Sequence, residues 1–360
     1  MGYMLFLLLI LLSQIKSPSF SMPKLHRWLY WFVLGICVVV LITACDWTQP
    51  TLRDRSYSTE TDTQLSPTEC QNIQHQLGET CIPINPQRII ATNEDTLEIL
   101  LALGLKPIAA AEPNAVSSRS RHLAGKVNDV VSLGKENQLS LEKILQLNPD
   151  LILGSDFSLK NNYDQFSQIA PSVALNLSIH DAWKATLQRA GEILNRSQQA
   201  QQQLESYQNR VEKLQRAMGD RLDKTEVSVV RFYADGHLEF RDSSSFPGSV
   251  LKDIGLPRPT VQYETNSDGT YQSVSTERLD LLDGDVIFVA LDAGAKEPFT
   301  KFQQDPLWQK LEAVQSDRVF TVDSGYWIFG NVLAANAILD DLERYLVDST
   351  SALPTPLNSA

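Results

Sequence analysis

The 360-residue sequence contains one structural unit twice, and this duplication constrains the fold more than any other feature. The pattern Ser-x-Glu occurs at Ser140 and again at Ser275, and in both places an apolar run headed by Asp follows eight residues after the Glu. Each Ser predicts a helix N-cap, and Glu142 and Glu277 lie near the positive helix terminus. The apolar runs are typical of strands buried on both faces of a parallel sheet.

A second pair of matching segments precedes the first. Gly104 and Gly255 each follow a helical pattern and are followed by proline within three residues, which is the pattern of a left-handed helix C-cap. Each half therefore has a strand, a helix closed by glycine, and later a Ser-x-Glu helix and another strand. We predict an α/β fold of two similar lobes; the alternative is that both matches are ordinary cap and turn chemistry.

The amino terminus has the pattern of a secretory signal. The apolar run from Trp28 to Ala44 follows Lys24 and Arg27, and residues 1–44 are predicted to be a signal peptide whose true start is Met22. The run ends in Leu-Ile-Thr-Ala before Cys45, which resembles the lipobox of bacterial lipoproteins. That resemblance implies a lipid on Cys45 and a location in the bacterial periplasm or cell envelope. A plain transmembrane anchor is the alternative.

Residues 45–69 are rich in Ser, Thr, Asp and Gln, which predicts a disordered tether. Cys70 and Cys81 follow on either side of a hairpin pattern centred on Gly78, and an oxidising compartment favours their pairing; two buried free thiols are the alternative. The net charge is -12 and the sequence has no basic stripe, which argues against nucleic acid as a partner.

The remaining chain divides into a first lobe over residues 70–175, a helical bridge over 176–224, a second lobe over 225–346 and a disordered tail over 347–360. Apolar residues recur at helical spacing through the bridge, and we predict one helix from Arg196 to Asp220 or so, about 39 Å long. A coiled coil is the weaker alternative. In the second lobe, Asp235-Gly236 between two strand patterns predicts a hairpin.

With these features together, the chain resembles the substrate-binding lipoproteins of iron-siderophore ABC importers. The matching residues are the lipobox ending at Cys45, the stretch from His75 to Ile90 with its Gly, Thr and Pro positions, the two Ser-x-Glu motifs, and Trp327 with the final helix. The resemblance implies a class III periplasmic binding protein-like fold, with two α/β lobes joined by a long rigid helix. It also implies a monomeric receptor that hands a ferric siderophore to ABC permease subunits with a cytoplasmic ATPase.

The same resemblance implies that Glu142 and Glu277 dock onto arginines of the two permease subunits. Two carboxylates at matching positions of a pseudo-symmetric body would orient docking on a two-fold permease. The alternative is that both are ordinary helix-capping carboxylates.

Ferric siderophores are bulky and oxygen-rich, so a receptor needs arginines for the oxygens and aromatic walls for the remainder. Polar and aromatic residues after predicted strands, or in the polar loop 112–125, supply the candidates. They are Arg231, Arg241, Tyr326 and Trp327 in the second lobe, and Asn93, Arg119, Arg121 and Ser155 in the first. As alternatives, Arg231 forms an ion pair with Glu239 or Asp242, and Trp327 belongs to the core.

We expect the siderophore to supply every iron ligand and the protein to need no cofactor, because the five histidines do not cluster in the sequence. The motifs of serine hydrolases, P-loop proteins and zinc proteases are absent, which argues against an enzyme. A receptor for cobalamin or haem is the closest rival, with Tyr326 or His122 as the axial haem ligand. A structural or adhesion module without a ligand ranks below it.

Overall fold

The computed structural model describes residues 70–117, 119–177, 182–263 and 270–348. The predicted signal peptide, the lipidation site Cys45, the tether and the tail from residue 349 onwards lie outside the described residues. Val347 ends a short π-helix, Glu343–Val347, so the second lobe continues past its predicted end at residue 346. Within the described ranges, none of the helices is long and apolar enough to span a membrane.

An antiparallel hairpin begins the described chain. Strand β1, Cys70–His75, pairs with β2, Gly78–Pro83, so that His75 lies opposite Gly78. The turn requires a glycine because the φ of Gly78 is +140°. Cys70 and Cys81 form a disulfide with their Cα atoms 5.5 Å apart. The predicted hairpin and disulfide are confirmed.

The first lobe is built on a five-stranded, fully parallel sheet with the strand order β5-β4-β3-β6-β7. The strands are β3 Ile89–Ala91, β4 Ala109–Glu112, β5 Val131–Lys135, β6 Leu151–Ser155 and β7 Ser172–Leu175. Every residue of β3 and β6 is buried, as expected for central strands covered on both faces. The sequence pattern did not indicate β7.

The helices of the first lobe connect these strands. They are α1 Glu94–Ala102, α2 Leu141–Gln146, α3 Asp156–Leu159 and α4 Tyr163–Ile169, with 3-10 turns at Arg121–Leu123 and Lys160–Asn162. The first 3-10 turn lies in the polar loop between β4 and β5, which reaches the second lobe.

Two helices form the bridge: α5 Trp183–Ile193 and α6 Ser197–Met218. Helix α6 has 22 residues and is therefore about 33 Å long. It is shorter than predicted because Gly219, with a φ of +53°, ends it and a 3-10 helix, Gly219–Lys224, follows. Its buried stripe includes Tyr207 and Val211, and it packs on α1 of the first lobe as well as on helices of the second. The bridge therefore braces both lobes, and its varied partners exclude a simple coiled coil.

The second sheet has the order β10-β9-β8-β11-β12. Its strands are β8 Val227–Phe232, β9 Leu238–Arg241, β10 Tyr271–Ser273, β11 Val286–Leu291 and β12 Val319–Asp323. Counted from the first strand of each sheet, both lobes have the order 3-2-1-4-5, so the predicted duplication is confirmed. The sheets differ in one respect: the hairpin at Gly236 makes β9 antiparallel to β8.

The helices of the second lobe are α7 Phe246–Ile254, α8 Lys296–Phe302, α9 Glu312–Gln315, α10 Ser324–Trp327 and α11 Val332–Leu342. Short 3-10 helices lie at Thr260–Gln262, Thr276–Leu282 and Trp308–Lys310. Helix α11 packs on α6, α7 and α1, so it joins the second lobe to both the bridge and the first lobe.

The paired glycine caps are confirmed, whereas one of the two serine caps is wrong. Gly104 and Gly255 have φ values of +73° and +85°, and the residue after each donates back to the helix. The Ser140 hydroxyl accepts from the amide of Lys143 at 3.3 Å. In the described chain the Ser275 side chain accepts no capping hydrogen bond, because the segment is a 3-10 helix broken at Arg278, whose amide bonds the Ser275 carbonyl instead.

Candidate ligand cleft

Loops at the carboxyl ends of strands from the two sheets meet between the lobes. The amide of Ala293, after β11, donates to the carbonyl of Ala115, after β4, at 2.8 Å. Beside this bond lies a cavity of about 290 Å³, which we call the cleft. Its lining residues are Asn114, Ala115, Tyr233, Ala234, Asp235, Asp292 and Ala293. Both lobes contribute to it, as the strand-end rule for ligand sites in α/β sheets predicts.

Arg231 lies at the carboxyl end of β8 and forms a two-point ion pair. Its Nε and Nη2 donate to the two carboxylate oxygens of Asp292 at 3.0 and 2.9 Å. Its guanidinium also lies over the ring of Tyr233, 4.4 Å from the centroid. Burial alone would lower the pKa of Arg231, but the hydrogen bond and charge of Asp292 outweigh it and raise the pKa. The predicted structural alternative named the wrong partners, because Asp292 rather than Glu239 or Asp242 holds the guanidinium.

Arg241 lies on the same face of the sheet, because Arg231 is directly opposite Glu239 and Arg241 is two residues further along β9. Its Nη1 donates to Glu239 at 2.9 Å and its Nη2 to Thr270 at 3.0 Å. Only 2% of its side chain is exposed, and this burial lowers the pKa of Arg241 although Glu239 opposes the shift.

Aromatic rings surround the two guanidiniums. Arg231 and Arg241 lie 5.7 and 5.5 Å from the ring centroid of Phe329, and Arg241 lies 5.3 Å from that of Tyr271. Planar guanidiniums among aromatic faces are a surface suited to an oxygen-rich organic ligand. The second lobe therefore contains paired arginines among aromatic rings, which we call the second-lobe wall, and this wall borders the cleft through Tyr233 and Asp292.

Sequence reasoning missed Asp292, Tyr233 and Phe329. Tyr233 and Asp292 each directly follow a buried strand, β8 and β11, and this position at a strand end was a signal that could have identified them. Phe329 had no such signal, because it follows a short helix.

The first-lobe candidates are engaged in holding loops. Asn93 is 6% exposed and its side-chain oxygen accepts from Thr96 at 2.6 Å and from the amide of Ser155 at 3.3 Å. The Ser155 hydroxyl caps helix α3. Arg119 donates to the carbonyls of Ala110 and Ala111 at the end of β4. These side chains bond within the first lobe, and they are not among the residues that line the cleft.

Tyr326 and Trp327 lie in the core between the lobes, and this corrects their prediction as cleft walls. Their side chains are 3% and 0% exposed, and both donate to one oxygen of Asp341, at 2.7 and 2.9 Å. The indole of Trp327 also stacks on Phe288. Arg121 donates to the Tyr326 hydroxyl at 2.8 Å, so it too belongs to this contact between lobes.

A carboxylate of the first lobe caps the amino terminus of a helix of the second lobe. Glu98 on α1 accepts from the amides of Asn331 and Ala334, at 3.0 and 3.1 Å, at the amino terminus of α11. Its other oxygen accepts from His122 at 2.7 Å. Burial alone would lower the pKa of His122, but Glu98 outweighs it and raises the pKa. We call Glu98, His122, Tyr326, Asp341 and Asn331 the interlobe joint. His122 and Tyr326, the two residues named as possible axial haem ligands, both form hydrogen bonds within it through His122 Nε2 and the Tyr326 hydroxyl.

Three more carboxylates lie near the start of α1. Glu94 is 4% exposed and accepts from the amide and hydroxyl of Ser120. Burial, opposed by Ser120 and helped by Glu98, raises the pKa of Glu94 to about 7. Burial also raises the pKa values of Asp95 and Glu136. The polar loop is thus fastened to the first lobe by a group that titrates near neutral pH.

Glu142 and Glu277 are both exposed. Glu142 is on α2, after the edge strand β5, and Glu277 is in the 3-10 helix after the edge strand β10. Because β5 and β10 occupy the same place in their sheets, the two carboxylates occupy equivalent positions in the two lobes. Over the described residues, no group of three or more His, Cys, Asp or Glu side chains is arranged to hold a metal ion.

Two α/β lobes that share one strand order, are braced by a helix and enclose a polar cleft define a two-lobed solute receptor. Comparison with known families agrees with this class. The family model described as "Periplasmic binding protein" matches residues 89–326, and the chain belongs to this family of substrate-binding receptors. The predicted fold class and family are therefore confirmed.

Relatives with established names cover most of the chain. The probable siderophore-binding lipoprotein YfiY of Bacillus subtilis is 31% identical over 327 residues, which is 88% of this chain and 97% of that protein. The achromobactin-binding periplasmic protein of Dickeya dadantii is 32% identical and covers 72% of this chain and 86% of its own. The crystal structure of Staphylococcus aureus SirA with staphyloferrin B is 26% identical, with a TM-score of 0.67, and covers 77% of this chain and 98% of that one.

Proposed function

We propose that this protein captures a ferric siderophore in the cleft and delivers it to an ABC permease with a cytoplasmic ATPase for iron import. The observation that carries the proposal is the second-lobe wall, where Arg231 lies over Tyr233 and is paired with Asp292, two residues that line the interlobe cavity. The names of the relatives support it, because a siderophore-binding lipoprotein, an achromobactin-binding protein and a structure containing staphyloferrin B are among them.

The chemistry of the wall suits this ligand. Guanidinium groups donate to carboxylate, catecholate or hydroxamate oxygens, and aromatic faces cover the organic shell. In this proposal Arg231 contacts the ligand, and the buried Arg241, predicted as a second contact, instead supports the wall behind it. Asn93, Arg119 and Ser155 hold the first-lobe loops that surround the ligand. The siderophore supplies all ligands of the iron, and the receptor releases it chemically unchanged.

The lobes are expected to move little when the ligand binds. Helix α6 packs on both lobes, and Glu98 bonds the amino terminus of α11 across the interlobe joint. A large hinge rotation would break these buried hydrogen bonds, which favours small closure.

Delivery depends on surfaces away from the cleft. In this proposal Glu142 and Glu277 dock onto arginines of the two permease subunits. Their exposure and their equivalent positions in the two lobes support this role. A lipid on Cys45 anchors the monomeric receptor to the membrane in the periplasm or cell envelope. This anchor keeps the receptor close to the permease.

Native mass spectrometry of the mature protein against ferric siderophores, haem and cobalamin tests the proposal. We expect a one-to-one complex with a ferric siderophore whose ligand is recovered intact. Binding of haem or cobalamin in preference to every ferric chelate would assign the receptor to that rival ligand. Absence of any complex would favour a structural or adhesion module and contradict the proposal.

A further inference from the structure

Asp292 is placed to control the charge that the cleft presents to a ligand. It lines the cleft, and both its carboxylate oxygens are bonded to Arg231. Both side chains of this pair are 12% exposed, so solvent screens them only partly. The next residue, Ala293, makes the backbone bond to the first lobe, which fixes the Asp292 loop at the mouth of the cleft.

The arginines of the second-lobe wall do not give the cleft a strong positive charge. Arg231 is paired with Asp292 and Arg241 with Glu239, so each guanidinium has a carboxylate at 3.0 Å or less. A further carboxylate, Asp235, lines the cleft. A ligand that reaches Arg231 from this cleft therefore meets a guanidinium hydrogen-bond donor without a matching excess of positive charge.

The geometry at Arg231 leaves a donor for such a ligand. Asp292 takes Nε and Nη2, and a ligand oxygen can accept from Nη1 without displacing the carboxylate. The ligand and Asp292 then share one guanidinium, so every negative charge on the ligand is repelled by Asp292. An uncharged or weakly anionic chelate keeps the hydrogen bond with little of this repulsion.

Ferric chelates differ widely in charge for a simple reason. Three catecholates leave the iron complex trianionic, three hydroxamates leave it uncharged, and complexes that mix the two kinds of group lie between. We propose that Asp292 is a specificity-determining residue that, by neutralising Arg231, makes this receptor select ferric chelates of low net charge over trianionic ones. The inference rests on the proposed function and adds the class of siderophore to it.

The test compares the wild type with Asp292→Asn and Asp292→Glu. The dissociation constants of a ferric tris-catecholate and a ferric tris-hydroxamate are measured with the mature protein by calorimetry, at two salt concentrations. For Asp292→Asn we expect the ratio of the two constants to shift towards the tris-catecholate by about tenfold for each unit of ligand charge at low salt, and by less at high salt. Asp292→Glu retains the charge and should retain the wild-type ratio.

Asp280→Asn is the matched control. Asp280 forms the same two-point pair with Arg278, at 3.0 and 3.1 Å, but on an exposed surface outside the cleft. This variant has the same change in net charge and should leave both constants unchanged.

Two other outcomes would each overturn a different claim. If Asp292→Asn weakens both chelates equally and leaves the ratio unchanged, Asp292 only supports the loop and the charge selection is wrong. If neither the wild type nor any variant binds a ferric chelate, the proposed function itself is wrong.

Discussion

Replacing Glu94 by glutamine removes an ionisable group from the place where the polar loop is fastened to helix α1. The carboxyl is 4% exposed and accepts from the amide and hydroxyl of Ser120. Glutamine has nearly the same shape, and its carbonyl oxygen can accept from Ser120. The substitution therefore tests the cost of the charge separately from the packing of the side chain.

The size of the effect follows from the pKa of Glu94, which rises from 4.5 to about 7 on folding. Below pH 4.5 the carboxyl is protonated in both the folded and the unfolded chain, and it causes no penalty. As the pH rises towards 7, the unfolded chain releases this proton while the folded chain keeps it, so the free energy of unfolding falls. Above pH 7 the loss is complete and amounts to about 3 kcal/mol.

We therefore expect Glu94→Gln to stabilise the protein by about 3 kcal/mol at pH 8 and to have little effect near pH 4.5. Urea denaturation of the mature wild type and variant across this range measures the difference. Glu205→Gln is the control, because Glu205 is an exposed carboxylate on α6. A stability difference that does not depend on pH, or a variant less stable than the wild type at pH 8, would refute the reasoning.

Three further experiments test other parts of the structure. Gly325→Ala should cost about 1–3 kcal/mol of unfolding free energy, because the new methyl group would overlap the side chain of Ser120. Ser120→Gly in the same chain should recover part of this loss, and chemical denaturation measures both effects. Cys81→Ser should cost about 3 kcal/mol and remove the effect of reductants on the melting temperature, since it opens an 11-residue disulfide loop. Reversing Glu142 and Glu277 to arginine should abolish uptake in cells while the ligand dissociation constant of the purified receptor stays within about twofold; a large loss of affinity would contradict the docking role.

The parts of the fold that depend on local chemistry could be predicted from the sequence. Gly104 and Gly255 end helices because each has a positive φ, which strongly favours glycine there. The hairpin at Gly236 and the disulfide also depend on neighbours within about a dozen residues. The repetition of these signals in one order was enough to indicate two similar lobes.

The parts of the site that depend on distant contacts could not be predicted in the same way. The carboxylate that holds Arg231 is 61 residues away, and two nearer acidic residues were equally plausible from the sequence. Tyr326 and Trp327 follow a strand, as a cleft residue would, but the short helix α10 directs both side chains to Asp341 in the core. Position after a strand indicates which end of the sheet a residue occupies but not which way its side chain points.

The bonds from Glu98 to helix α11 have a consequence for the order in which the chain matures. Glu98 precedes its partners Asn331 and Ala334 by more than 230 residues, so the first lobe is made long before the last helix exists. Until that helix arrives, the first lobe contains a carboxylate without the amide groups that stabilise it. We therefore expect a chain truncated before residue 331 to leave this carboxylate without its amide donors and to be less stable than the full receptor.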